Sequence, residues 1–387
     1  MNLVLYRKHR PKLFSEVIGQ EHVVQTLKNA IISGSISHAY IFTGPRGSGK
    51  TTLARLLAKA VNCQNRARST SQPANQKTSF EPCNKCDSCL EIMENRSIDL
   101  VEIDAASHRG IDDIRELRDG IKFAPTKSKY KVYIIDESHQ ITKEAANALL
   151  KTLEEPPAHA IFVLATTDIH KMIPTIISRC QRFDFKKLNL TEIIKRLKLI
   201  ADREKIRVNE SALELIAMNA GGSMRDAESL LDQALTFAGA SGKKGETGVD
   251  DIKDLLGLIE IGLVSKFCDF LIERKAKEAI EFLNDIMDRG MDVQEFAKAI
   301  INYLRQALII KVAGDDKIGI DNPLVSGLTK EELEKMTRQA KGFEEKELSR
   351  CLSLFLEAEN KMKFSPIQQL PLELAIIEAT GQLTINN

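Results

Sequence analysis

Tryptophan is absent, and aromatic residues make up only 5% of the chain, too few for the aromatic-rich core of an all-β sandwich. No apolar run reaches the ~18 residues that a membrane-spanning helix needs. The N-terminus, MNLVLYRKHRPKLF, turns basic before any hydrophobic stretch long enough for a signal peptide. Together these absences predict a cytoplasmic protein with no membrane partner. An excess of one charge is missing too: 55 Lys+Arg nearly cancel 54 Asp+Glu, leaving +1. That balance excludes a basic coat for non-specific nucleic-acid binding and an acidic, disordered chain, and taken alone it argues mildly against a DNA partner. Cysteine is sparse and odd in number, seven in 387 residues. A chain of this length has room for two or three cored domains and needs no disulfide staples. Three of the seven cysteines sit in one cluster, which favours a metal site over disulfides.

What is present in the first half is an alternation of β-rich runs and helical patterns. The runs are HAYIFTG (38–44), DLVEID (99–104), YKVYIIDE (130–137), AIFVLATT (160–167) and RFDF (182–185). Continuous apolar strands alternating with helices predict an α/β domain whose parallel sheet is covered on both faces. Strand signals stop near residue 186, and 190–238 read as helical with a Gly-Gly break at 221–222. GASGKKGETG (239–248) has the composition of a flexible connection and predicts a domain boundary. Helical stripes follow: Val293, Phe296, Ile300, Leu304 and Leu308 on one face, and Leu348, Cys351, Leu352, Phe355 and Leu356 on another. Bundle core is the plainer reading of both stripes, oligomer contacts the other. The segment 64–82 is polar, Pro-interrupted and aperiodic, as a surface loop would be.

Gly44-Pro45-Arg46-Gly47-Ser48-Gly49-Lys50-Thr51 matches G-x-x-x-x-G-K-[ST] between an apolar strand and the helical run TTLARLLAKAV. In such a loop backbone N–H groups cradle the α/β-phosphates of ATP, the helix N-terminus adds its dipole, Lys50 reaches the β/γ-phosphates and Thr51 ligates Mg²⁺. Val132–Glu137 supplies the second element, a buried strand ending in two carboxylates. Asp136 would hold the Mg²⁺ shell and Glu137 would polarise the attacking water, the two acids facing opposite sides of the strand.

With these elements in place the sequence resembles the AAA+ ATPases, and more closely the gamma/tau family of bacterial DNA polymerase III clamp-loader subunits. The resemblance runs from Tyr6 to Gln233 through YRKHRPKLFSEVIGQEHV, DAASHRGIDDIREL, VYIIDESHQIT, NALLKTLEEPP, LATTD, the triplet Ser178-Arg179-Cys180 and GGSMRDAESLLDQA. It implies an AAA+ domain over 1–186 with a zinc module inserted at 63–89, a helical lid over 187–240 and an all-α collar for oligomerisation over 249–387. It also implies residue roles. Thr167, with Thr166 as the alternative, would sense the γ-phosphate or lytic water. Arg179 would be an arginine finger acting on a neighbour's ATP, and Arg225 a second sensor on the lid. Val17 and Ile18 would contact the adenine, and Ser107, His108 and Arg109 would touch the DNA backbone without reading bases.

Cys83, Cys86 and Cys89 form C-x-x-C-x-x-C, with Cys63 upstream. Four thiolates can close a tetrahedral, structural Zn²⁺ site. An iron–sulfur cluster also uses this spacing, but the C-P that usually continues the run is missing after Cys89. Cys180, Cys268 and Cys351 read as apolar packing residues.

The partners implied are other clamp-loader subunits in a pentamer, of delta and delta-prime type, the sliding clamp and primed template DNA. Polymerase core and replicative helicase would bind only a longer form. Two rival readings remain: a branch-migration helicase, which the cysteine module and SRC triplet disfavour, and a non-hydrolysing scaffold, which would have lost Lys50, Thr51 or Glu137.

Overall fold

The protein is described by a computed structural model covering residues 4–65, 80–107, 119–240, 248, 251–252, 260–313 and 330–381. It divides into two units, 1–248 and 249–387.

In the first unit the apolar runs become five parallel strands: β1 (Ala39–Thr43), β2 (Leu100–Asp104), β3 (Lys131–Asp136), β4 (Ala160–Thr166) and β5 (Gln181–Asp184). Their order is β2-β3-β4-β1-β5. Side chains alternate between faces along each strand, so the sheet has two cores. Tyr40, Phe42, Val132, Ile134 and Val163 pack on one face against the helices Glu21–Ser33 and Lys50–Val61. Ile41, Tyr133, Ile135, Phe162 and Leu164 pack on the other, against Lys143–Glu154. The alternation predicted from the apolar runs is therefore present, with covered faces on both sides.

Two details differ from the sequence reading. β3 ends at Asp136, and Glu137 lies beyond it in the left-handed region, φ 45°, so the two acids are set apart by a backbone turn rather than by strand alternation. β4 likewise ends at Thr166, leaving Thr167 outside the ladder.

Helices Leu190–Glu204, Glu210–Asn219 and Met224–Ala240 complete this unit. The first opens with a capping box in which the Asn189 side chain accepts the Glu192 N–H and the Glu192 side chain accepts the Asn189 N–H. The second unit is helical where described. Phe267, Phe296 and Phe355 meet edge-on at its centre, and Val293, Phe296, Ile300 and Leu304 are buried as their spacing predicts. In Glu345–Met362 the buried stripe is Leu348, Cys351, Phe355, Ala358 and Met362. Leu356 is 44% exposed, because one residue past Phe355 is a rotation of about 100° out of the stripe. No helix among the described residues is long and apolar enough to cross a membrane.

Candidate functional site

The C-terminal ends of β1, β4 and β3 converge, and the loop after β1 sits at that edge. Its glycines permit the path: Gly47 and Gly49 have φ of 73° and 95°, a region closed to most side chains. The helix Lys50–Val61 follows at once, so its unpaired first N–H groups face the loop. Ser48 donates to the Pro45 carbonyl at 2.8 Å. Lys50 is buried, and its ammonium donates to the carbonyls of Gly44 (2.7 Å) and Pro45 (2.8 Å). Burial pulls that ammonium below the ordinary lysine range, while Glu137 and Asp136 oppose the shift.

Thr51 Oγ1 donates to Asp136 Oδ2 at 2.7 Å, joining loop and acidic strand end across the intervening strand β4. That strand delivers Thr167, whose hydroxyl donates to Glu137 Oε2 at 2.9 Å. Thr166 is buried, with its hydroxyl engaged by His139 Nδ1 (3.0 Å) and the Asp168 N–H (3.1 Å). Between the two threonines, only Thr167 meets the Glu137 carboxylate among the contacts described. His139 Nδ1 also lies 3.4 Å from Glu137 Oε2.

A cavity of about 280 Å³ opens over the loop. Its wall includes Val17, Ile18, Arg46 to Thr52, Asp136, Glu137 and Arg225. Arg225 rests over the Tyr6 ring, 4.9 Å from the centroid. Gly44 and Pro45, whose carbonyls hold Lys50, are outside the lining, as are Thr167 and Arg179. Arg179 instead donates to Glu154 Oε1 (2.5 Å), the Thr175 carbonyl (2.8 Å) and Ser178 Oγ (3.3 Å). Ser107 donates to its neighbour Asp104 at 3.1 Å; His108 and Arg109 lie outside the described residues, as does most of the 64–82 loop.

Among the lining or supporting residues to which the sequence reading gave no role are Arg10, Arg196, Glu228 and His139. Arg196 donates to the His9 carbonyl and sits 3.7 Å from Glu228. Burial pushes the Glu228 carboxyl up to about 7 against the pull of Arg196. Glu228 stands one helical turn after Arg225, so an i, i+3 search from that arginine could have found it. The lining carries five arginines and Lys50 against Glu16, Asp136, Glu137 and the partly protonated Glu228, a positive surplus suited to a polyanion.

The sulfurs of Cys63, Cys83, Cys86 and Cys89 lie within 4.8 Å of one another. Cys83 and Cys89 are 3.9 Å apart, close to the ~3.8 Å separation that tetrahedral Zn–S bonds of about 2.3 Å impose. Burial would raise the Cys83 thiol, but the N–H groups of Lys85 (3.4 Å) and Cys86 (3.3 Å) bring it down to about 6. The donor set and its N–H···S bonds fit a thiolate-bound divalent ion. Cys180, Cys268 and Cys351 stand apart from this group; burial raises all three thiols, Cys180 to about 12 and Cys351 to about 11.

The DNA polymerase III subunit gamma of Buchnera aphidicola (strain APS) is 35% identical over 98% of this chain and 99% of its own length. The chain belongs to the DNA polymerase III gamma/tau family. Family models tile it: DNA polymerase III, delta subunit, over 19–189; DNA polymerase III clamp loader subunit, ATPase lid domain, over 192–240; and DNA polymerase III subunits gamma and tau domain III, over 247–385. The tau subunit of Bacillus subtilis is 41% identical over 97% of this chain, which spans 62% of that relative's length. Among solved structures, the Thermotoga maritima RuvB Holliday junction branch migration motor superposes over 68% of this chain and 79% of its own, at TM-score 0.47 and 19% identity. As a gamma/tau family member the chain has the expected α/β class: a P-loop domain with a parallel sheet, a helical lid and an all-α C-terminal unit.

Proposed function

We propose that this gamma/tau family member is the ATP-hydrolysing motor subunit of a sliding-clamp loader, working in the cytoplasm within the DNA polymerase III holoenzyme. The observation that carries the reading is the Thr51–Asp136 hydrogen bond, which puts the acidic strand end against the phosphate loop, with Glu137 in the same cavity.

ATP would enter with its base towards Val17 and Ile18 and its phosphates over Gly47–Thr51. Lys50 would exchange its two carbonyl partners for β- and γ-phosphate oxygens. Mg²⁺, when bound at Thr51 and Asp136, would neutralise charge between those phosphates. Glu137 would orient the attacking water, and its bond to Thr167 gives that hydroxyl a hold on the carboxylate's direction. Arg179 lies outside this chain's own cavity lining, which supports action on a neighbouring subunit's ATP, where a guanidinium can be worth on the order of 10³–10⁵ in rate. Arg225 would draw the lid onto the γ-phosphate. Cys63, Cys83, Cys86 and Cys89 would hold a structural Zn²⁺.

In the assembly, ATP binding at subunit interfaces would order a spiral with delta- and delta-prime-type subunits and open the clamp. Primed DNA, tracked in part by residues 107–109, would align Glu137, Thr167 and the neighbour's Arg179. Hydrolysis would then release the clamp closed on DNA.

The test is ATPase activity with and without primed DNA and clamp in the reconstituted loader. Strong stimulation is expected, and none would count against the motor reading. Lys50→Ala should abolish nucleotide binding. Glu137→Gln should bind but turn over about 10²–10⁴-fold more slowly; wild-type turnover in that variant removes Glu137 from its role.

A further inference from the structure

The cysteine module grips the chain at a second place, apart from its own four sulfurs. Glu81 stands two residues before Cys83. One of its carboxylate oxygens accepts the backbone N–H of Phe14 at 2.7 Å; the other accepts the N–H of Ser15 at 3.0 Å and the ammonium of Lys28 at 2.6 Å. Phe14–Glu16 is a single 3₁₀ turn, whose leading N–H groups have no partner within so short an element. Glu81 supplies it. The grip is reinforced twice. Lys59, buried on the P-loop helix, donates to the Lys12 carbonyl at 2.7 Å, and Phe14 is buried in one apolar cluster with Phe80, Cys63 and Cys89, against which Val17, Cys83 and Cys86 pack.

The gripped segment leads directly to Glu16, Val17 and Ile18 in the cavity wall. A ligand set of four cysteines does not require a carboxylate upstream that reaches to a different element. We propose that Glu81 is a positioning residue for the nucleotide site: it fixes the backbone at residues 14 and 15, and so makes the base-facing wall at 17 and 18 depend on the state of the cysteine module. The proposal rests on the cavity being the ATP site.

Glu81 is remote from Lys50, Thr51 and Glu137 in the contacts described, so its effect should fall on binding and not on chemistry. With the carboxylate removed, two backbone donors turn to water and the wall at 17–18 gains conformers that a bound base must freeze out, which weakens affinity.

The experiment uses the full chain, a fluorescent ATP analogue, steady-state ATPase kinetics and metal analysis. Glu81→Ala should bind the analogue about tenfold more weakly, with KM for ATP rising in step, kcat within about twofold of wild type and full metal content. Glu81→Gln keeps an acceptor oxygen and should recover about half of that loss on a logarithmic scale. Stripping the metal from wild-type protein with a chelator should weaken analogue binding, and stripping it from Glu81→Ala should add less than about twofold. Unchanged affinity in Glu81→Ala with its metal retained overturns the proposal. So does a fall in kcat at constant KM, or loss of metal from both variants, since Glu81 would then serve the metal site itself. Lys50→Ala separates the two readings: if it binds the analogue as tightly as wild type, the assignment of the cavity fails, whatever Glu81 does.

Discussion

Replacing Gly47 with alanine tests whether the lid is seated on the phosphate loop. At φ 73° an alanine costs about 1 kcal/mol in backbone strain. Its Cβ would also lie 1.9 Å from Ser223 Oγ and 2.9 Å from Ser223 Cβ. Ser223 is buried and cannot simply swing away, because its hydroxyl oxygen accepts the Asp226 N–H at 3.2 Å, capping the helix Met224–Ala240. Losing that cap costs about 1 kcal/mol. The Met224 N–H bond to the Gly47 carbonyl, 3.2 Å, would open as the lid shifts, for about 1 kcal/mol more. The sum, about 3 kcal/mol, should lower the melting temperature of the N-terminal unit by roughly 6–12 °C, read by calorimetry. Ser223→Gly in the same background removes the colliding hydroxyl and leaves a nearly equivalent cap. The double variant should regain up to about 2 kcal/mol, keeping the backbone term and a tight 3.3 Å approach to the Ser223 Cα. A single variant that melts with wild type, or a double variant no better than the single, would refute the seating of lid on loop.

Three further outcomes follow from groups already described. Cys86→Ser should fall well below one equivalent of bound zinc, and a full equivalent retained would sink the proposed ligand set. Asp99 is buried, and burial alone would raise its carboxyl, but the N–H groups of Thr126 (2.8 Å), Lys127 (3.0 Å) and Ser128 (2.8 Å) hold it below the usual range. Its stabilisation is therefore present above the unfolded carboxylate range and lost as pH falls through the lower folded value. Asp99→Asn should cost about 2 kcal/mol at neutral pH and less in acid, by denaturant titration; an equal cost at both would contradict the assignment. Glu228 runs the other way. Its folded value near 7 lies above the ordinary range, so its contribution is full at low pH and disappears as pH rises towards 7. Glu228→Gln should flatten the pH dependence of melting over that window, and an unaltered slope would locate the titration elsewhere.

Much of the fold was legible because burial on both faces leaves a continuous apolar signature, as in Ala39–Thr43 and Ala160–Thr166. Strand order was not, since nothing local in β4 says that it lies between β1 and β3. Yet that insertion brings Thr167 to Glu137. The phosphate loop and the cysteines announced themselves by spacing alone, because their chemistry is encoded within a few residues. Arg10, Arg196 and Glu228 did not, because a charged residue acquires meaning only from what the tertiary structure sets across from it. Glu81 is the extreme case: nothing in its neighbourhood suggests that its partners are amides more than sixty positions upstream. The Leu348–Leu356 stripe shows the reverse limit, where two adjacent apolar residues cannot share one narrow helical face.

The perch of Arg225 on Tyr6 gives the lid's arginine somewhere else to be. A guanidinium over an aromatic ring is worth about 0.5–2 kcal/mol, and in the sensor role proposed for Arg225 that contact has to be forfeited before the phosphate is reached. By population arithmetic the ring would raise the nucleotide concentration for half-closure by roughly two- to thirtyfold. Tyr6→Leu should lower that concentration by the same factor, measured by a fluorescent pair across lid and sheet, and no shift would show the ring to be a bystander. Under the proposed closure the tyrosine is a set-point: it would tune how much ATP the lid waits for through a residue that need never touch the phosphates.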